Sequence, residues 1–176
     1  CRILGDKGVR EYCEAANLYL KQYNQQIKFL LAGPIDEYSP TSLSEAEILN
    51  LCKKNGVHYL GNRSDLSNLL SRSSIFVLPS YYQERIPKVL IEAAACGLPI
   101  ITTNHPGCRD AVIEGKTGLL VQARNIEVIV TALNNLLENY ERSTEMGREA
   151  RKFAKDHFDE KSVIRQHYYL YHDLTD

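Results

Sequence analysis

Two glutamates eight positions apart, Glu84 and Glu92, flank a proline in the run Glu84-Arg85-Ile86-Pro87-Lys88-Val89-Leu90-Ile91-Glu92-Ala93. Pro87 suits the first position of a helix, because its missing N–H would have no intrahelical partner there. A helix starting at Pro87 leaves the N–H groups of Lys88, Val89 and Leu90 aimed back at the loop carrying Glu84, with the positive end of the helix dipole behind them. That is the outline of a phosphate site. Glu84 would stand beside the anion and Glu92 roughly two turns into the helix, so the two acids can grip different parts of one elongated ligand. A phosphate-bearing polyol fits. Either acid alone is most simply a solvated side chain, so the weight rests on what surrounds them.

The elements that must position this run alternate. Lys7 to Asn24 carries Val9, Tyr12, Cys13, Ala16, Leu20 and Tyr23 at helical spacing, and Ile27 to Gly33 follows as a short buried strand. Ser44-Glu45-Ala46-Glu47 is a capping box opening a helix to Asn55, stopped by Gly56, and Val57 to Gly61 is the next strand. Asp65 caps a short helix to Ser71, and Ile75 to Leu78 is a strand ending at Pro79. The Pro87 helix runs to Cys96 and closes at Gly97, after which Ile100 to Thr103 and Gly118 to Val121 are two more strands. Strands separated by helices demand crossover connections, hence a largely parallel sheet covered on both faces. The expected fold class is α/β, Rossmann-like. Three helices end the chain: Asn125 to Tyr140, Arg142 to His157 and Lys161 to Asp173. In open parallel sheets ligands bind beyond the carboxyl ends of the strands, where the loop Pro79 to Ile86 lies.

Composition narrows the class of function. The 176 residues suffice for one domain with a substantial core and show no linker or compositional break. Twenty-one basic and twenty-two acidic residues give a net charge of −1 with no basic block, which excludes nucleic acid as a natural partner. No apolar run is long enough to span a bilayer and no signal-peptide pattern opens the chain, so a soluble protein is expected. Five scattered cysteines without a Cys-x-x-Cys pair argue against a disulfide framework or a zinc knuckle and fit a reducing cytoplasm. The five histidines have no metal-ligand spacing, so no metal site is expected.

Pro79-Ser80, Glu84, Pro87, Glu92-Ala93, Gly97-Leu98-Pro99-Ile100, Gly107, Glu114-Gly115 and Thr117-Gly118-Leu119-Leu120-Val121 together resemble the C-terminal domain of family 4 retaining glycosyltransferases. The two acids match that family's Glu-x7-Glu motif. Arg2-Ile3-Leu4-Gly5-Asp6-Lys7-Gly8 resembles its opening strand and Lys-Gly helix start, so the likeness spans nearly the whole chain. The resemblance implies the C-terminal half of a GT-B architecture, in which two Rossmann-like domains face each other across a cleft and this one holds the nucleotide sugar. Residues 1–176 are then the donor domain. The N-terminal acceptor domain is expected to be absent, and the fragment to bind donor with little turnover.

The resemblance assigns Arg2 and Lys7 to the donor diphosphate, with the N–H groups following Ile86 and Pro87, at Lys88 and Val89, completing the clamp. Glu84 would hold hydroxyls of the donor sugar and Glu92 those of the ribose. The base is expected near Gly61, Asn62 and Arg63, where the Arg63 guanidinium can stack on the ring or simply lie in solvent. The donor is a substrate, so no separate cofactor or metal is implied. Pro106-Gly107-Cys108-Arg109-Asp110 in place of the common Gly-Gly pair resembles a bacterial subgroup building capsule, O-antigen or lipid-linked glycans from UDP-sugars. The implied partners are the nucleotide-sugar donor, the missing domain and a glycan or lipid-linked acceptor. The implied location is the cytoplasm, peripheral to the inner face of the membrane through the absent domain.

Two departures carry expectations of their own. Arg85 replaces the family's usual glycine after Glu84, which puts the contact of this loop with the sugar in question, or adds charge near the phosphates. It also supports the competing reading, a regulatory or scaffolding domain that binds a protein partner. Phosphorylase or epimerase chemistry on this fold would want a cofactor lysine signature, which the sequence lacks. Cys108 is expected to pack, not react. Of Tyr168, Tyr169, Tyr171 and His172, about half are expected in the core and the rest exposed.

Overall fold

The reciprocal bonds of a capping box start one helix where the sequence places it. The Ser44 hydroxyl accepts from the Glu47 N–H at 3.3 Å, and the Ser44 N–H donates to the Glu47 carboxylate at 2.9 Å. Gly56 ends that helix in a left-handed conformation. The computed structural model describes residues 1–23, 27–36, 38–159, 164, 168, 169, 171 and 172. Its strands are β1 (Phe29–Leu31), β2 (Val57–Tyr59), β3 (Phe76–Leu78), β4 (Ile100–Thr103) and β5 (Gly118–Val121). Its α-helices are α1 (Val9–Tyr23), α2 (Glu45–Asn55), α3 (Leu66–Ser71), α4 (Lys88–Ala95), α5 (Ile126–Glu138) and α6 (Tyr140–Phe158).

Each pairing among the five described strands is parallel, with Phe29 opposite Val57, Phe76 opposite Ile100 and Ile100 opposite Gly118. Alternation along β4 shows how helices cover both faces. Ile101 joins the cluster built with Val9, Tyr19, Ile48, Ile129 and Leu133, whereas its neighbour Ile100 joins Leu90, Ala93, Leu98 and Ala150. Helices α1, α2 and α5 thus lie on one side, and α4 and α6 on the other. Ile100 and Ile101 are both fully buried, as a strand covered on both faces requires.

The expected single sheet is divided. β1 and β2 form one piece, and β3, β4 and β5 form another in that order. Between them runs a groove of about 680 Å³ bordered by Leu30, Ile75, Val77 and Leu78. No described strand bridges β1 to β3, so the Leu30 carbonyl takes its hydrogen bond from the Tyr12 hydroxyl at 3.0 Å and the Leu30 side chain stays 38% exposed.

Four further expectations are corrected. The opening segment makes only isolated bridges, Ile3 to Ile35 and Leu4 to Ser42, and its backbone then tightens into a 3₁₀ turn over Gly5–Lys7 before α1. Pro87 stands at the N-cap with extended backbone, one residue outside α4. Asp65 precedes α3 without capping it, because its carboxylate is held by Arg63. The helix expected over Lys161 to Asp173 lies largely outside the described residues; Tyr168, Tyr169, Tyr171 and His172 are all exposed, not half of them packed.

Candidate functional site

The segments around Lys7 and Glu84 are stitched together through backbone groups. The Tyr81 N–H donates to the Asp6 carbonyl at 2.9 Å, the Tyr81 hydroxyl to the Gly5 carbonyl at 3.2 Å, and the Ser80 hydroxyl to the Asp6 carbonyl at 3.4 Å. Gly8 makes this approach possible. It is left-handed, with φ 76°, and a Cβ there would lie 2.3 Å from the Pro79 carbonyl oxygen. On the other flank of the β3 loop, β4 holds it down: the Thr102 hydroxyl donates to Leu78 O at 2.7 Å, and that of Thr103 to Ser80 O. Cys108 is fully buried with its Sγ 3.9 Å from the Ser80 carbonyl oxygen, so it packs as expected.

The consequence is a contact between two of the residues singled out from sequence. The Lys7 ammonium pairs with the Glu84 carboxylate and lies 4.9 Å from the centre of the Tyr82 ring. Lys7 is 5% exposed, and desolvation lowers its pKa from the ordinary lysine value. The Arg2 charge acts in the same direction, while Asp6 and Cys108 pull it back. Arg2 itself donates to Asp36 at 2.7 Å in a half-exposed pair, and that bond raises the pKa of its guanidinium.

Helix α4 begins next to this cluster. Lys88 and Val89 occupy its first two positions and have no intrahelical acceptor for their N–H groups, but the Leu90 N–H already donates to the Pro87 carbonyl at 2.9 Å. The sequence reading of three open N–H groups is therefore reduced to two. Ile86 is half-buried in the cluster behind the loop, Pro87 and Val89 are buried, and Lys88 is exposed. Glu92 lies exposed on α4.

Arg85 is exposed, and its backbone is ordinary: among the described residues the only non-glycine with positive φ is Arg124, at 60°. Arginine at position 85 therefore imposes no left-handed strain on the Glu84 loop. Gly61 lies at the end of β2 with its carbonyl accepting from the Gly33 N–H at 2.9 Å, and Asn62 and Arg63 are exposed beside it. Arg63 makes a two-pronged contact with Asp65, at 2.8 and 2.7 Å, which uses the N–H edge of the guanidinium and leaves its faces open. The large groove between the sheets touches Lys7 and Arg63 but neither Glu84 nor Glu92. Among the described residues no group of three or more His, Cys, Asp or Glu side chains is placed to hold a metal ion.

Two members of the cluster escaped the sequence reading. Asp36 is Arg2's partner from the loop after β1, and Tyr82 is the ring beside Lys7. The adjacent pair Tyr81-Tyr82, two residues ahead of Glu84, was the available signal. Asp36 had none, because only the fold brings it to Arg2.

Parallel strands covered on both faces, with basic and acidic side chains gathered beyond their carboxyl ends, define a Rossmann-like α/β domain whose ligand site is expected at those ends. Residues 2–153 match the family described as glycosyl transferases group 1, and the chain belongs to that family. It is 35% identical over 170 residues to the N,N'-diacetylbacillosaminyl-diphospho-undecaprenol alpha-1,3-N-acetylgalactosaminyltransferase of Campylobacter jejuni, covering 97% of this chain and 42% of the relative. The chain thus spans less than half the length of that relative. Among solved structures, Anabaena Alr3699/HepE in complex with UDP superposes with a TM-score of 0.85 at 22% identity, over 98% of this chain and 47% of that one. The C-terminal domain of the group 1 family protein LpcC from Francisella tularensis superposes with a TM-score of 0.77 at 18% identity, over 90% of this chain and 83% of that one. At those identities the superpositions speak to fold, which is the GT-B half expected from the sequence.

Proposed function

We propose that residues 1–176 form the donor-binding domain of a retaining glycosyltransferase. It would transfer a sugar from a UDP-sugar to a glycan or lipid-linked acceptor in polysaccharide biosynthesis, with the acceptor side supplied by a separate N-terminal domain. The observation that carries this reading is the junction of buried Lys7 with Glu84 next to the start of α4. The match of a domain-sized solved structure over most of both chains supports the division into domains. The undecaprenol-linked acceptor in the name of the Campylobacter relative supports a lipid-linked glycan, and UDP in the HepE complex supports the nucleotide. No helix among the described residues is long and apolar enough to cross a membrane, which fits action at the inner membrane face through the other domain.

Departure of a nucleoside diphosphate builds negative charge while the sugar becomes oxocarbenium-like. Cations and N–H donors already in place stabilise that charge where it appears. Lys7 and Arg2 supply the cations, and Lys88 and Val89 the N–H groups. In this scheme the chain's own groups meet the diphosphate and no metal ion is assigned a role. Lys7 exchanges its bond to Glu84 for the phosphate, which frees the Glu84 carboxylate to accept from the sugar hydroxyls. Glu92 accepts from the ribose. Arg85 is exposed and unstrained, so its presence is compatible with an intact Glu84 loop.

Calorimetric titration of the natural full-length protein with UDP tests the reading, and no binding at millimolar UDP would sink it. Glu92→Ala is expected to weaken UDP by about tenfold, the scale of a lost bond to a charged group. Glu84→Ala is expected to act mainly on UDP-sugar. Equal effects of both variants on both ligands would contradict the division of labour.

A further inference from the structure

The loop after β4 meets the loop after β3 at one residue without a side chain. Gly107 is left-handed, with φ 82°, and a Cβ built on it would lie 2.4 Å from the Glu84 carbonyl oxygen, 2.8 Å from that of Arg85 and 3.0 Å from the Arg85 carbonyl carbon. These are backbone atoms, so no side-chain rotation relieves the contact. The Gly107 N–H is held in turn by the Asp110 carboxylate at 3.2 Å. Cys108, next in the chain, packs on Ser80 at the other end of the same β3 loop. The Glu84 segment is thus pressed between Gly8 against Pro79 on one flank and Gly107 against Glu84 and Arg85 on the other.

We infer that Gly107 is a positioning residue for the donor sugar: its bare backbone is the seat that fixes where the Glu84 carboxylate stands, with Asp110 holding the seat in place. The inference rests on the reading of Glu84 as the sugar-binding acid. A Cβ at position 107 has to push the Glu84–Arg85 backbone away, and a displacement near 1 Å at a positioning group costs orders of magnitude in well-oriented sites. Lys7 and Arg2 reach the diphosphate from a different segment, and Lys88 and Val89 are held in α4 by its buried face, so nucleotide binding is spared while recognition of the sugar is lost.

The readout is the ratio of the UDP-N-acetylgalactosamine dissociation constant to that of UDP, measured by calorimetry on the full-length protein. In Gly107→Ala the ratio rises at least about tenfold, with UDP itself within about twofold of the parent. Gly115→Ala is the matched control, because Gly115 is also left-handed, with φ 72°, yet nothing lies within 4 Å of a Cβ built there. It carries the same kind of backbone strain and leaves the ratio unchanged. Asp110→Ala, at an exposed position, raises the ratio in the same direction and supplies the answer if Gly107→Ala does not fold. A parent-like ratio in folded Gly107→Ala, or in Asp110→Ala should the former not fold, overturns the inference. Glu84→Gln separates the two levels. If it leaves the ratio unchanged, the role of Glu84 has failed; if it raises the ratio while Gly107→Ala does not, only the seat has failed.

Discussion

Lys7 and Glu84 stand 77 residues apart in sequence and meet as an ion pair in which the ammonium is buried and the carboxylate is 25% exposed. The pair joins the turn before α1 to the loop after β3, the two segments on which the proposed donor site depends. A cation held in this way is preorganised, and an arriving anion has to displace the carboxylate.

Removing the Lys7 charge while keeping an apolar stem tests its part directly. Lys7→Met is expected to weaken UDP by roughly 10- to 100-fold, the range for one lost bond between charged groups. Isothermal titration against the parent measures it, with far-ultraviolet circular dichroism to show that the variant is folded. Unchanged UDP affinity would take Lys7 out of the diphosphate site.

The pH dependence follows from the lowered Lys7 pKa. A bound diphosphate carries more negative charge than the single Glu84 carboxylate it replaces and favours the charged ammonium further, so the pKa in the complex is higher than in the free protein. Affinity due to that charge is fully present below the free-state pKa and is lost as pH rises from there through the pKa of the complex. UDP titrations from about pH 7 to about pH 10 should therefore show falling affinity at the alkaline end. In Lys7→Met that slope should disappear. A slope that persists in the variant would belong to another group.

Asp36 competes for Arg2. The pair is half-exposed, and such surface pairs contribute little to stability. Asp36→Asn should leave the melting temperature nearly unchanged and strengthen UDP binding by about two- to fivefold, as one negative charge leaves the vicinity of the phosphates. Weaker binding would mean that Asp36 orients Arg2 instead of competing for it.

Ile101, fully buried on the middle strand of the larger sheet, tests the core. Ile101→Ala is expected to cost about 2–5 kcal/mol in a urea titration, with the slope unchanged. A loss below about 1 kcal/mol would mean that the surrounding side chains collapse into the space.

Much of this architecture was legible in the residues. Helix starts at Ser44 and Asn125 follow from side chains that satisfy N–H groups three residues on, and Ile100-Ile101 is apolar on both faces because both faces are covered. Local patterns carry such features. What escaped depends on distant partners: the pairing of Arg2 with Asp36, the capture of Asp65 by Arg63 before it could cap α3, and the division of the sheet at β1 and β3. The Lys7–Glu84 contact lies between. Both residues were marked for one site, but only the 3₁₀ turn and the close approach of Gly8 to Pro79 make them touch. The Pro87 boundary moved by one residue, because proline fits the N-cap as well as the first helical position.

The parallel pairings bear on how the chain acquires its structure. Phe29 finds Val57 and Phe76 finds Ile100 only after an intervening helix has been laid across the sheet, and Ile100 finds Gly118 across a loop that holds only a short 3₁₀ turn. Each registration closes a long loop before any ladder bond repays the lost entropy, which is the kind of non-local pairing that slows folding. The Lys7–Glu84 junction spans the longest of these separations. Nucleotide binding at the proposed site depends on this junction and would therefore report native tertiary structure, not an early compact state.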